Sequence, residues 1–211
     1  RWRKQTEHGA QDSESRFVLN QASAHYLPTK YIKLSAGALN QRYSHSKVLV
    51  DNIAFPGGRA EAFDDSSSFK YGIAAESTIP TSTSMSTNTK DLEKTPALHS
   101  AQLKFNYQPS RKNYWKNTFG YFVFQNLPSA VAHQSRLLGN DILQISEAQY
   151  AFIYKFAGFE ASSEFNFAVT SYLEFNGTLE YLKNTEAPQG LNQGYNIGLY
   201  GTVKTGRTTE L

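Results

Sequence analysis

Five histidines stand in this chain, His8, His25, His45, His99 and His133, and no two of them fall at the spacing that ligates a metal from one strand or helix. Cysteine is absent, which removes thiolate zinc sites, disulfide frameworks and cysteine nucleophiles together. A Gly-x-Ser-x-Gly elbow and a phosphate-cradling glycine loop are both missing. Asp64-Asp65 with Ser66 has the atoms for a loop calcium, although two adjacent acids are more often a solvated loop. No Ser/His or Asp/His pair is set out locally, which leaves only pairs made in space. The reading is therefore no enzyme, no metal and no cofactor. What the sequence does place regularly is charge: Lys33, Lys70, Lys104, Lys116 and Lys204 each fall on the polar side of a stretch that alternates with period two. Such residues act through field and size, not through bond making.

Strands must position them. Ile32, Leu34, Ala36 and Ala38 alternate with Lys33, Ser35 and Gly37. Phe69, Tyr71 and Ile73 alternate with Lys70 and Gly72; Leu103, Phe105 and Tyr107 alternate with Gln102, Lys104 and Asn106. Trp115, Phe119, Tyr121 and Val123 oppose Lys116, Thr118 and Gly120. Phe165 and Phe167, then Tyr195, Ile197, Leu199 and Val203, repeat the pattern. Period two is the signature of a strand with unlike faces. About nine such segments exist, several of the roughly 9–11 residues that a tilted strand needs to cross a bilayer. No apolar run is long enough for a transmembrane helix. One short helix is expected within 129–140, ended by Gly139.

Connectors come in two sizes. Pro28-Thr29-Lys30 and Gln108 to Lys112 are tight, whereas 40–68, 78–98, 125–146 and 184–194 are long and polar. Short turns at one rim and long loops at the other are the asymmetry of outer-membrane barrels. The run from Ser77 to Thr89 has room for a further strand, since Ile79, Thr81, Thr83 and Met85 fall two apart. Asn176-Gly177 reads either as a hairpin turn or as a kink inside a strand. Tyr26, Tyr31, Tyr107, Tyr114, Trp115, Tyr172 and Tyr195 lie near segment ends, where headgroup-level aromatic girdles form.

The segments Leu19 to Pro28 and Leu34 to Gln41 resemble a porin hairpin, and Lys47 to Gly58, with Phe55-Pro56-Gly57, resembles the strand and "FPG" loop of outer-membrane porins of Gram-negative-type bacteria. Asn126 to Ala132 and Leu138 to Asp141 are similar to a long-loop segment of that group. The resemblance covers the first two thirds of the chain. It implies a water-filled barrel in a bacterial outer membrane, in contact with its lipid, passing small polar solutes, with a homotrimer left open. Porins of that kind have about 16–18 strands and commonly end on an aromatic strand, so Leu211 departs from the pattern. These 211 residues are then part of a larger barrel, with a complete barrel of about 8 or 10 strands as the rival.

The expected fold is thus all-β, an antiparallel transmembrane β-barrel over residues 1–211 as a single domain or segment, with about nine or ten strands visible. Pore-lining residues are Lys33, Lys70, Lys104, Lys116 and Lys204, which predict a weak anion preference unless Glu76, Glu164 and Glu174 also face inward. Arg42, Lys47, Arg59, Asp64 and Asp65 lie in the long segment after the first hairpin, which either folds into the lumen as a constriction or stays at the cell surface. A net charge of only +3 spread along the chain argues against nucleic acid as a partner. Two rivals stand beside the pore: a non-channel outer-membrane barrel with a structural or adhesive role, and a soluble all-β carbohydrate-binding module using exposed Tyr and Trp as stacking platforms.

Overall fold

The computed structural model describes residues 2–6, 15–19, 22–50, 53–65, 67–80, 94–135, 141–146, 149–170 and 172–203. The strands in chain order are β1 (Trp2–Thr6), β2 (Ser15–Leu19), β3 (Ser23–Thr29), β4 (Ile32–Asn40), β5 (Ala54–Asp64), β6 (Phe69–Thr78), β7 (Ala97–Tyr107), β8 (Tyr114–Gln125), β9 (Ile142–Ser146), β10 (Gln149–Phe152), β11 (Ala157–Ala168), β12 (Leu173–Asn184) and β13 (Gln193–Val203). A 3-10 turn at Gln41–Tyr43 and one helix, α1 (Ser129–Ser135), are the other elements. Nine strands form one sheet in the order β13-β12-β11-β8-β7-β6-β5-β4-β3, every neighbouring pair antiparallel. β1 with β2, and β9 with β10, make two separate antiparallel pairs. The chain is therefore all-β, a meander in which strand follows strand, but β3 and β13 remain as edges and the described residues do not close into a ring.

Alternation along each strand gives the sheet two unlike faces. On the outer face stand Ile32, Leu34, Phe69, Tyr71, Ile73, Leu103, Phe119, Tyr121, Phe159, Phe167, Leu179, Ile197 and Leu199, all exposed. On the inner face stand Ser35, Glu76, Ser100, Gln102, Glu160, Asn166 and Glu180, all buried. This inverts a water-soluble sheet, which buries its apolar side and wets its polar one. Register lines the outer aromatics into a row, because Phe69 lies opposite Tyr107, Tyr107 opposite Trp115, and Trp115 opposite Phe165. The short β3–β4, β5–β6, β7–β8 and β11–β12 junctions fall at the rim beside that row, and the longer β4–β5, β6–β7, β8–β11 and β12–β13 junctions at the other.

The sheet is strongly curved. Arg42, two residues past β4, reaches Glu180 on β12 with Nη1 3.5 Å from Oε1. Neighbouring strands lie about 4.8 Å apart, so the six steps from β4 to β12 would span about 29 Å if the sheet were flat. An arginine arm covers only a small part of that, so the wall curls around the 41–53 connector, and the polar face is its concave side. Under that connector lies the apolar core: Val50 from the connector meets Phe55, Leu98 and Phe122 from β5, β7 and β8, flanked by Leu49, Ile53, Phe124, Phe156 and Leu182. Each of these large side chains contributes about 1.5–3 kcal/mol on burial, enough to bed the segment on the wall.

Several expectations need correction. The stretch 40–68 is not one long loop: residues 54–64 form strand β5, and only 41–53 connects. Pro56, Gly57 and Gly58 read as breakers, yet Gly57 is where β5 approaches β6 so closely that a Cβ would strike the backbone of Ser77 and Thr78. The stretch 125–146 likewise contains α1 and β9. Of the helix expected over 129–140, Ser129–Ser135 form α1; residues 136–140, Gly139 among them, lie outside the described residues. Asn176-Gly177 is interior to β12, where Gly177 leaves space that the Phe165 ring fills. β6 runs to Thr78 and β7 opens at Ala97; residues 81–93, which include Thr81, Thr83 and Met85, lie outside the described residues. β4 departs from regular geometry at Gly37, whose φ of +117° suits glycine alone as the carbonyl of Ala22 closes in.

Candidate functional site

Adjacent strands bring side chains far apart in sequence into rows on the inner face. One row runs Lys33, Glu61, Ala74, Gln102, Gly120, Glu160 from β4 to β11. Glu61 sits between two ammonium groups, Oε2 3.4 Å from Lys33 and Oε1 3.2 Å from Lys104. Lys70 lines the same hollow as Lys33, Glu61 and Lys104. Lys116 lies 3.9 Å from Glu164 and 4.2 Å over the Tyr114 ring, whose hydroxyl donates to Glu164 at 2.7 Å. Four of the five expected lysines therefore share the inner face; Lys204 lies outside the described residues. Carboxylates share it too, Glu61, Glu76 and Glu164 among them, so the lysines do not form an unopposed positive wall. The bases cluster on β4 to β8, while Glu160, Glu164, Glu174 and Glu180 lie on β11 and β12.

Residues 41–50, between β4 and β5, cross this face. His45 is the pin: its Nδ1–H donates to Glu160 Oε1 at 2.5 Å, and the Ser46 backbone N–H donates to Oε2 at 3.0 Å. With Nδ1 so used, Nε2 accepts from the Ser100 hydroxyl at 3.3 Å. Gln102 donates to the Ser44 carbonyl and, at 3.3 Å, to Glu160. The Ser44 hydroxyl reaches Glu76 at 3.3 Å, and Glu76 also takes the Arg59 guanidinium. Arg42 pairs with Glu180, whose second oxygen accepts from Asn196 at 3.0 Å. Residues 41–50 are thereby tied directly to β6, β7, β11 and β12, and through Glu76 and Glu180 to Arg59 on β5 and Asn196 on β13.

The five residues grouped as a constriction loop divide. Arg42 and Lys47 are on the crossing segment, Arg42 engaged and Lys47 exposed. Arg59 belongs to the wall, on β5. Asp64 ends β5 and Asp65 follows it at the opposite, short-turn rim, so neither takes part in the crossing. His45, Glu61, Gln102, Glu160 and Glu180 are the participants that reading by motif missed. Gln102 had a local trace, on the polar side of the Leu103–Phe105–Tyr107 alternation, and Glu61 a fainter one between Ala60 and Ala62; His45 and Glu160 are 115 residues apart and meet only through the fold.

Ser100, His45 and Glu160 stand in the order of a hydrolytic triad. Their burial argues for a fastening instead: side-chain exposure is 0% at His45 and 3% at Glu160, and Ser100 is buried beside them. Glu160 already accepts from the Ser46 and Gln102 donors besides His45. Among the described residues, no three His, Asp or Glu side chains converge as a metal site would require. No helix among them is long and apolar enough to cross a membrane, a statement that leaves strands untouched. Comparison with protein-family models, curated proteins and solved structures finds no match for this chain.

Proposed function

We propose that this chain forms wall and constriction of a transmembrane β-barrel in a bacterial outer membrane, through which small hydrophilic solutes diffuse. The observation that carries the reading is the inside-out sheet: an apolar outer face exposed over nine strands, and an inner face of Lys, Arg, Glu, Ser and Gln. An exposed apolar surface of that extent needs a membrane or a partner to cover it. Seven of the nine strands have 10 to 12 residues, the length of a tilted crossing. The Phe69–Tyr107–Trp115–Phe165 row sits where an interfacial girdle belongs. Lipid would contact the outer face, the inner face would touch polar solutes, and the 41–53 connector would narrow the passage. The excess of bases over Glu61 and Glu76 on β4 to β8, facing the acids on β11 and β12, would set a field across that passage, making charge arrangement, more than net charge, the determinant of selectivity. Planar-bilayer recording of the full protein tests this: stepwise conductance is expected, and its absence at protein levels where insertion is verified contradicts it.

One observation favours a second reading, a barrel without a channel. The apolar core and the His45–Glu160 network fill the inner face near the long-loop rim, as a plug would. Sugar uptake into proteoliposomes separates the two, since a plugged barrel inserts but passes nothing. The soluble carbohydrate-binding reading draws less support: Ile32, Leu34 and Ile197 are exposed on one outer face instead of meeting in a dry interior.

A further inference from the structure

Nine strands with every neighbour antiparallel have a consequence of direction. β3 and β13, the first and ninth in the sheet, run the same way. Laid edge to edge they would make a parallel pair, unlike every other junction in the sheet. A second copy does not help, because rotation about the pore axis preserves strand direction, so β13 of one copy would again lie parallel to β3 of the next. Any ring that stays antiparallel throughout needs an even number of strands. Width points the same way. A barrel of about eight strands has room inside for side chains only, whereas here a backbone segment, residues 41–50, crosses the inner face with Arg42 and His45 reaching the far strands.

Resting on the barrel reading above, we infer that the edges of β3 and β13 are joining surfaces for an odd number of further antiparallel strands of the same polypeptide, which complete a wall wider than nine. The strands it takes must alternate polar inward and apolar outward. They must also supply partners for the open backbone groups of β3 and β13, since hydrocarbon leaves no such group unpaired. The exposure of β13 fits an edge awaiting a neighbour: Tyr195, Ile197, Leu199, Tyr200 and Val203 are all between 65% and 77% exposed, on both faces of the strand. That flanking chain forms antiparallel strands is already visible at β1 and β2, the latter ending at Leu19, four residues before β3 opens at Ser23.

The chain has no cysteine, so engineered pairs report without background. In the full protein folded into lipid vesicles, Ala24→Cys would be combined in turn with Ile197→Cys, Leu199→Cys and Gly201→Cys. Leu34→Cys with Ala60→Cys, directly opposite on β4 and β5, is the positive control. Cysteines with Cα atoms beyond about 7 Å do not bridge. The inference expects the control to oxidise, every β3–β13 pair to stay reduced both within and between chains, and the backbone amides of Tyr195 to Val203 to be as protected from hydrogen exchange as those of β7. A β3–β13 disulfide, or rapid exchange along β13, overturns it. A protein that inserts and conducts but bridges β3 to β13 defeats this inference alone, whereas one that never enters the vesicles defeats the barrel reading itself.

Discussion

His45 Nδ1 lies 2.5 Å from Glu160 Oε1, joining the crossing segment to β11 at a point where neither side chain sees solvent. Removing one partner leaves the other buried and unpaired, which costs more than the bond itself contributes. Glu160→Ala strands both the imidazole and the Ser46 N–H, so the expected loss is about 1–3 kcal/mol by denaturant titration in detergent. Conductance should rise and become noisier as the segment loosens. Glu164→Ala, removing a half-exposed carboxylate four residues on, should leave both nearly unchanged.

Two phenylalanines three positions apart on β8 have opposite surroundings. Phe122 is fully buried under the crossing segment, and Phe119 is exposed on the outer face. Phe122→Ala is expected to cost about 3–5 kcal/mol because it opens a cavity in the core. Phe119→Ala opens none and should cost far less. Equal losses from the two would refute the assignment of faces.

The charge test is complementary. Ile73→Lys puts an ammonium on the outer face and should cost about 2–4 kcal/mol if that face meets mid-bilayer hydrocarbon. Thr118→Lys, on the inner face between Lys104 and Ser162, should insert and fold normally. Folding yield into lipid vesicles reads both variants.

If the inner face lines a pore, its selectivity should depend on Glu61, the carboxylate held between Lys33 and Lys104. Glu61→Gln leaves both ammonium groups unopposed, so the reversal potential under a salt gradient should move in the anion-selective direction. Lys104→Glu should move it the opposite way. No shift from either would place these residues away from the ion path.

Much of this wall is legible from spacing alone. Lys33, Lys70, Lys104 and Lys116 fall on the inner face because period two survives in their strands, where large apolar residues mark the other side. β5 escaped because its outer face is built from Gly58, Ala60 and Ala62, too small to raise a hydrophobic signal, and because Pro56-Gly57-Gly58 looks like a turn. The grouping of Asp64 and Asp65 with Arg42 failed for the same reason: an unseen strand carries the acids to the opposite rim. The His45–Glu160 pin and the Arg42–Glu180 contact had no local signal at all, since both depend on curvature summed over several strands. The expected anion preference carried a condition, that Glu76, Glu164 and Glu174 not face inward; register sets Glu164 beside Lys116, and it adds Glu61, which was not foreseen, between Lys33 and Lys104.

Which face meets water is the claim from which the others descend, and thiol accessibility in proteoliposomes measures it most directly. Ile73→Cys and Phe119→Cys probe the outer face; Thr118→Cys and Asn196→Cys probe the inner. The predicted result is that a membrane-impermeant maleimide labels positions 118 and 196, while fluorophores attached at 73 and 119 before insertion are quenched by brominated acyl chains. Rapid aqueous labelling of 73 and 119, with acyl-chain quenching at 118 and 196 or at none of the four, would contradict the account.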